Sequence, residues 1–197
     1  MKLKKWETAL FITVLIVIVW SVNTQHQQTR LADKLVRFHV IANSDDEDDQ
    51  RTKLEVRDAV LNEIEPLLNS VESREEAEAI INNNIPLIIN AAKTKTNENV
   101  FVTITEESYP TRYYDTFTLP AGTYTSLRIT IGEGEGHNWW CVVFPPICTT
   151  AAVEEAEAVG LTDSEIELIT EDDADTIIRF KTLEILAKLR ELFVTDR

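Results

Sequence analysis

The sequence predicts an α+β domain with a mainly antiparallel sheet, helices packed on one face, and an N-terminal signal or anchor helix in front of it. Three observations predict this fold. An apolar run opens the chain, a β-rich segment is followed by two amphipathic helical segments, and the middle of the chain changes to the two-residue period of strands. The order strand, two helices, several strands and a last helix is typical of α+β domains.

The composition excludes several function classes. The 197 residues include 34 acidic and 19 basic side chains, which gives a formal net charge of −15. Such a chain lacks the basic footprint that nucleic-acid binding requires. Hydrophobic residues make up 44% of the sequence, which is enough for a packed core. The 2 cysteines are too few for a disulfide-scaffolded small protein or for a zinc site closed by thiolates.

The N-terminus has the pattern of a secretory signal or a single membrane anchor, predicted over residues 1–23. Lys2, Lys4 and Lys5 precede an uncharged, mostly apolar run over residues 8–22. A spanning helix needs about 20 apolar residues, and no small-x-small cleavage pattern follows the run, so a cleaved signal and a retained anchor both stay open. Lysines before the run favour a cytoplasmic N-terminus. The residues that follow are therefore predicted to be exported.

The exported part is predicted to begin with a polar tether over residues 24–34, rich in glutamine, and to continue as a folded domain over residues 35–148. The first strand of the domain, over residues 35–42, is rich in β-formers and alternates. Alternation places Arg37 and His39 together on one face and the apolar side chains on the other.

Two capping-box patterns predict the helices that follow this strand. Ser44-x-x-Glu47 opens the first helix, and Ser73-x-x-Glu76 opens the second. Pro86 is expected to kink or divide the second helix, because proline cannot donate the intrahelical hydrogen bond.

The middle of the chain has strand patterning. Residues 100–105 alternate, and residues 113–118 and 123–131 flank a Leu-Pro-Ala-Gly turn, which predicts a β-hairpin. Residues 139–144 form another apolar strand, which two prolines end.

The C-terminal part is predicted to consist of an acidic, variable segment over residues 149–175 and an amphipathic helix over residues 176–197. Ile178 and Ile185 lie on the apolar stripe of that helix. Acids precede the helix and bases lie near its end, the charge order that a helix dipole favours.

Two motifs resemble ligand sites. The glycines at 132, 134 and 136 are followed by an apolar strand and not by the helix that a dinucleotide loop needs, so they predict a tight turn between strands. The acidic run over residues 45–49 lacks the mid-loop glycine of an EF-hand. A calcium site and acids that stabilise a helix N-terminus both stay open for this run, but no metal and no cofactor is predicted.

Cys141 and Cys148 flank a Pro-Pro turn, and three interpretations stay open for them. A disulfide between them suits an exported domain, and two free structural thiols are the second possibility. The third is an extracytoplasmic, hydrolase-like enzyme that uses His39 or His137 with Cys141 or Asp45, because a nucleophilic thiolate needs a base within reach. The sequence contains no serine-hydrolase, zinc-protease or paired-aspartate motif.

Polar side chains converge at the end of the first predicted strand. Arg37 and His39 share a strand face, and Asn43, Ser44 and Asp45 follow directly. This group is a candidate recognition surface, and a plain structural hydrogen-bond network is the alternative.

Two stretches of the domain, together covering residues 35–148, resemble the stage II sporulation protein R family. The first is Arg-Phe-His-Val-Ile-Ala-Asn-Ser-Asp at 37–45, followed by Lys-Leu-Glu-Val-Arg-Asp-Ala-Val at 53–60. The second comprises Tyr-Pro-Thr at 109–111, Leu-Pro-Ala-Gly at 119–122 and the run at 134–148, which includes His-Asn-Trp-Trp-Cys.

The resemblance implies an exported signalling protein of endospore-forming bacteria, secreted or membrane-anchored in the space between forespore and mother cell. There it would activate, by binding, a membrane-embedded aspartic protease that processes an inactive sigma-factor precursor. It implies no catalytic residues and no small-molecule substrate. Exposed tryptophans suit protein interfaces, and the expected partner-binding residues are Arg37, His39, Asn43, Asp45, Asn138, Trp139 and Trp140. An inert module that binds the cell envelope is a further alternative.

Overall fold

The computed structural model describes residues 4–114, 117–146, 161–162, 169, 178 and 180–185. Its elements, in chain order, are α1 (Lys5–Ala32), β1 (Val36–Ile41), α2 (Glu47–Leu68), α3 (Arg74–Asn83), α4 (Ile85–Lys93), β2 (Val100–Tyr109), β3 (Arg112–Tyr113), β4 (Thr118–Leu119), β5 (Gly122–Ile131) and β6 (Asn138–Phe144). Helices, a sheet and an apolar N-terminal helix are therefore all present, as predicted.

The main sheet has four strands in the order β2-β5-β1-β6. Strand β1 is parallel to β5 and antiparallel to β6, and β5 is antiparallel to β2 over ten residue pairs. Two of the three pairings are antiparallel, which confirms the predicted α+β class with a mainly antiparallel sheet.

The predicted hairpin between residues 113–118 and 123–131 is wrong. Strand β5 pairs with β2 and β1, whereas β3 pairs with β4 in a separate two-stranded sheet. The apolar side chains of β5 explain the difference: Leu127, Ile129 and Ile131 are buried in the main core. Burial of aliphatic side chains stabilises this arrangement by about 1.5–3 kcal/mol each, and pairing with residues 113–118 would not supply it.

One face of the sheet packs against α2, α3 and α4 and forms the main core. Alternate residues of β1 face this core, and the helices contribute apolar residues at helical spacing, among them Val56, Val60, Ile64, Ile81 and Ile88. Pro86 divides the predicted second helix, because α3 ends at Asn83 and α4 begins at Ile85 with the proline in its first turn.

The first capping box is not formed as predicted, whereas the second is. Helix α2 begins at Glu47 with Asp46 as its N-cap, and the Ser44 hydroxyl binds Asp49 instead. Ser73 is the N-cap of α3, and its hydroxyl accepts a hydrogen bond from the Glu76 amide.

Helix α1 changes character along its length. In the described part of the chain it is the one helix long and apolar enough to cross a membrane. Its large apolar side chains from Trp6 to Val22 are exposed, except Trp20, which is half-buried. The segment predicted as a polar tether is instead helical to Ala32, and its buried residues are Thr24, Gln28, Leu31 and Ala32. These four residues lie on one stripe of the helix. Because two of them, Thr24 and Gln28, are polar, the hydropathy pattern of the sequence does not show this stripe as a buried helix face.

The end of α1 packs against the second face of the sheet. Leu31 and Ala32 join Leu35, Tyr109, Tyr124 and Val142 in a second apolar cluster, to which the β3–β4 segment contributes Phe117 and Leu119. A Cβ atom on Gly122 would overlap the side-chain amide of Gln28, so this close approach requires glycine. Both faces of β1 are consequently covered, and all six of its residues are buried.

Most of the segment predicted over residues 149–175, and much of the helix predicted over residues 176–197, lie outside the described residues. Residues 178 and 180–185 are helical. Phe180 and Leu183 are buried, whereas Ile178 and Ile185, which were predicted on the apolar stripe, are exposed.

Candidate interaction site

Alternation along β1 places Arg37 on the second face of the sheet, where it is fully buried. Its Nε donates a hydrogen bond to the Cys141 carbonyl at 3.0 Å, and one terminal nitrogen donates to the Tyr114 hydroxyl at 2.9 Å. The guanidinium carbon lies 4.2 Å from the ring centre of Tyr109 and 5.1 Å from that of Tyr124. Every contact described for this side chain is internal, so the geometry favours the structural network over direct contact with a partner.

His39 lies one step further along the same face and belongs to a network centred on Glu107. The Nδ1 atom of His39 is 3.1 Å from Glu107 Oε2, and Arg128 donates to Oε1 of the same carboxylate at 3.2 Å. The Tyr109 hydroxyl lies 2.6 Å from that of Ser126 and donates to Glu107 at 3.3 Å. The carboxylate therefore holds together strands β1, β2 and β5.

The pKa values of this network follow from burial and from its hydrogen bonds. Burial alone raises the pKa of Glu107, but hydrogen bonds from His39 and Ser126 and the charges of His39 and Arg128 hold it below its usual value. Burial raises the pKa of Tyr109 well above its usual value, and it raises the pKa of Tyr124 to about 12. Both phenols are therefore neutral donors at physiological pH.

Trp140 is fixed from several sides. Its ring stacks on His39 with ring centres 4.1 Å apart and an interplanar angle of 15°, and Tyr109 meets it edge-on at 4.7 Å. The guanidinium carbon of Arg112 lies 4.7 Å from the centre of the same ring. Because His39 occupies one face of the indole, Arg112 must lie over the other face. The side chain is half-buried and held in one orientation.

The two adjacent tryptophans lie on opposite faces of β6. Trp139 faces the main core, where it meets Phe38 edge-on at 5.7 Å, and the guanidinium carbon of Arg57 lies 4.8 Å from its ring centre. Asn138, the first residue of β6, is exposed. A single partner surface that contacts the Trp140 side would therefore not reach Trp139 through the sheet.

Asn43 and Asp49 connect the end of β1 to the glycine-rich turn. The Asp49 carboxylate accepts hydrogen bonds from Asn43 Nδ2 at 2.8 Å and from Ser44 Oγ at 2.7 Å, and these bonds lower its pKa. Asn43 Oδ1 in turn accepts from the Glu133 amide at 3.0 Å. Asn43 is therefore a structural residue of the loop.

The glycine-rich segment is a turn between β5 and β6, as predicted. Gly132 and Gly134 have positive φ angles of 56° and 67°, which glycine adopts without strain. A Cβ atom on Gly136 would overlap the Ser44 carbonyl. These requirements explain the spacing of the glycines without any ligand.

Asp45 fastens the far end of this turn. Its Oδ1 accepts the His137 backbone amide at 2.6 Å and contacts His137 Nδ1, and hydrogen bonds from the His137 side chain and backbone lower the pKa of Asp45. Lys53 Nζ donates to the His137 carbonyl at 2.9 Å. The Asp45 and His137 side chains are 56% and 79% exposed, so this pair is open to solvent and to a partner. The described residues contain no group of three or more side chains suited to holding a metal ion.

Cys141 is disulfide-bonded, and Cys148 lies outside the described residues. The pairing of these two cysteines therefore stays a prediction. A disulfide sulfur is not a nucleophile, so a thiolate mechanism at Cys141 would first require reduction.

An open pocket of about 380 Å³ lies beside Trp140. It brings together three of the predicted site residues, Asp45, Asn138 and Trp140, whereas the other four do not line it. The remaining lining residues are Arg112, Glu135, Gly136 and His137.

Sequence reasoning missed Glu107 and Arg112, and it named Tyr109 only as part of the Tyr-Pro-Thr motif. Glu107 and Tyr109 have the same parity in β2, a signal that places them on one face, but nothing in the sequence pairs that face with His39. Arg112 directly follows the Tyr-Pro-Thr motif at 109–111, which is the one sequence signal near it.

Comparison with known proteins shows one clear relationship. The family model described as Stage II sporulation protein R matches residues 32–154. The Stage II sporulation protein R of Bacillus subtilis (strain 168) is 35% identical over 159 residues, which cover 76% of this chain and 71% of that protein. No solved structure gives a significant match.

Proposed function

From the premise that the chain belongs to the stage II sporulation protein R family and acts in sporulation, we propose that it is an exported signal that works by binding. Its partner is a membrane-embedded aspartic protease of the mother cell, which processes an inactive sigma-factor precursor once activated. The structural observation that carries binding as the mode of action is Trp140, a half-exposed aromatic side chain held rigidly at the edge of an open pocket.

A rigid aromatic anchor suits this role energetically. A ligand that moves a two-state protein from 1:99 to 99:1 must prefer the active state by about 5.5 kcal/mol. A few interface residues supply most of such energy, with tryptophan prominent among them, because it buries a large area and loses little rotamer entropy. Trp140 loses even less entropy, since His39 and Tyr109 already fix its ring.

The proposed location is the space between forespore and mother cell. Helix α1 supports it, since its apolar length is compatible with a signal or an anchor. Residues from Thr24 onward would then lie outside the cytoplasm of the producing cell, where the disulfide of Cys141 is stable.

The test is a co-expression experiment with the full chain. Cells that make the protease and the precursor of the same organism are compared with and without this protein, and processing is followed by immunoblot. The full chain is expected to trigger processing, and Trp140→Ala to reduce it about 30-fold, as expected for an anchor worth about 2 kcal/mol. Phe101→Ala is the matched control, because Phe101 is 59% exposed on β2, at the opposite edge of the sheet from β6.

Three further variants separate folding and catalysis from binding. Asn138→Ala removes an exposed side chain of the pocket, so it leaves thermal unfolding unchanged while processing falls. Cys141→Ala and Cys148→Ala are expected to be equally severe if the two cysteines form one bridge, whereas a nucleophile would make Cys141→Ala alone inactivating. A folded full chain that triggers no processing contradicts the proposed function.

A further inference from the structure

Among the described residues no carboxylate pairs with Arg112, although the chain is strongly acidic. Within the described residues its side chain makes no hydrogen bond and no ion pair, and its Nε is buried without an acceptor. Carboxylates pair with Arg51, Arg57, Arg74 and Arg128. The buried Arg37 has no carboxylate partner either, but it donates hydrogen bonds to the Cys141 carbonyl and the Tyr114 hydroxyl. A buried donor without an acceptor is costly and therefore rare in folded proteins.

The guanidinium is nevertheless held in place. It lies 4.7 Å from the ring centre of Trp140, and the His39 ring supports the indole from the other side. Cation–π contact fixes the position of the charge without neutralising it. Arg112 is thus prepared for an anion that the described part of the chain does not provide.

The side chains that line the pocket around Arg112 indicate which kind of anion would bind there. Arg112 borders the pocket together with Asn138, His137 and the Trp140 indole, none of which carries a fixed negative charge. Asp45 and Glu135 also line the pocket, and a dianionic phosphate would be repelled by them more strongly than a monoanionic carboxylate. Recognition of an anionic lipid surface uses clusters of four to eight basic residues, and the lining contains one arginine and one histidine.

We propose that Arg112 recognises a carboxylate side chain, Asp or Glu, on the partner protein, with the carboxylate seated in the pocket beside Trp140. Arginine suits this task because its planar fork donates two parallel hydrogen bonds to a carboxylate. This recognition role rests on the proposed function, because it names the chemistry by which the same surface selects the protease.

A direct binding measurement tests the site without relying on signalling. The full chain, labelled with ¹⁵N in detergent micelles, is titrated with sodium acetate, with sodium phosphate and with sodium chloride. The buried Nε–H of Arg112 is followed, and its signal is assigned by its loss in Arg112→Lys. Acetate is expected to shift the signal saturably and at lower concentration than phosphate. A shift no larger than that with chloride, or tighter binding of phosphate, overturns the carboxylate site.

The co-expression assay tests the role of the site in recognition. Arg112→Ala is expected to reduce processing at least tenfold and Arg112→Lys at least threefold, whereas Arg51→Ala, which removes an exposed charge on α2, stays within twofold of the wild type. If Arg112→Ala loses stability, Arg112→Lys decides, because it keeps a cation over Trp140. Arg112→Glu is expected to regain processing with one Asp or Glu of the protease changed to Arg.

The outcomes distinguish the two proposals. Acetate binding at Arg112 in a wild-type chain that triggers no processing contradicts the proposed function and leaves the carboxylate site in place. A wild-type chain that signals while Arg112→Ala matches Arg51→Ala overturns the recognition role. A complete scan of the exposed acids of the protease without any rescue of Arg112→Glu also overturns it.

Discussion

Residues 24–32 of helix α1 are part of the folded domain, and Leu31→Ala measures how much they contribute. Leu31 is fully buried in the second apolar cluster, among Leu35, Tyr124 and Val142. Truncation of a buried leucine to alanine costs about 2.7–5 kcal/mol, because it loses transfer free energy and leaves a cavity. For a domain of this size, 1 kcal/mol lowers Tm by about 2–4 °C, so we expect Tm to fall by roughly 5–20 °C.

The assay is urea and thermal unfolding of the full chain in detergent, followed by tryptophan fluorescence and near-ultraviolet circular dichroism. Leu54→Ala is the matched control, since the same chemistry is changed at a position on α2 that is 39% exposed. We expect Leu54→Ala to change stability by less than about 1 kcal/mol. If Leu31→Ala lowers the midpoint no more than Leu54→Ala does, the end of α1 is not part of the core.

Three other predictions follow from the described contacts. Glu107→Gln removes a carboxylate whose folded pKa lies below the ordinary value of 4.5. The stabilisation from the ionised Glu107 is present above pH 4.5 and is lost as pH falls through the folded pKa. Urea midpoints measured from about pH 7 down to about pH 3 should therefore fall less steeply in the variant than in the wild type. Gly136→Ala forces a methyl group against the Ser44 carbonyl and should cost about 1–3 kcal/mol in urea unfolding, whereas an unchanged midpoint would show that the turn relaxes freely. Iodoacetamide under denaturing, non-reducing conditions should leave Cys141 unlabelled, as intact mass reports, and labelling without reductant would exclude the disulfide.

Local patterns predicted the parts of the fold that local chemistry controls. The alternation of β1, the N-cap at Ser73 and the division of the helix at Pro86 each depend on residues within one or two turns of one another. The partners of β5 depend instead on which strand lets Leu127 and Ile129 reach the helices. Strand pairing of this kind depends on contacts between distant parts of the chain, so the Leu-Pro-Ala-Gly turn at 119–122 wrongly indicated a local hairpin.

The candidate site was predictable only in part, for the same reason. Asn138 and Trp140 lie at the pocket as expected, because both belong to one short motif. Arg37 is buried instead, since the end of α1 and the β3–β4 segment cover a face that the sequence suggested was open. Arg112 was missed because its importance comes from having no ion-pair partner among the described residues, and an absent ion pair leaves no pattern along a chain.

Only one residue separates Val22, the last exposed apolar side chain of α1, from Thr24, which is already buried against the domain. If α1 stays in the membrane as an anchor, this continuous helix joins the bilayer to the globule, and its helical phase sets the direction in which the pocket faces relative to the lipid. One alanine inserted at this junction would rotate the globule by about 100° about that axis, and an insertion of four by only about 40°. In the proposed setting between two membranes, the number of residues between such an anchor and the core would therefore set the direction in which the pocket faces.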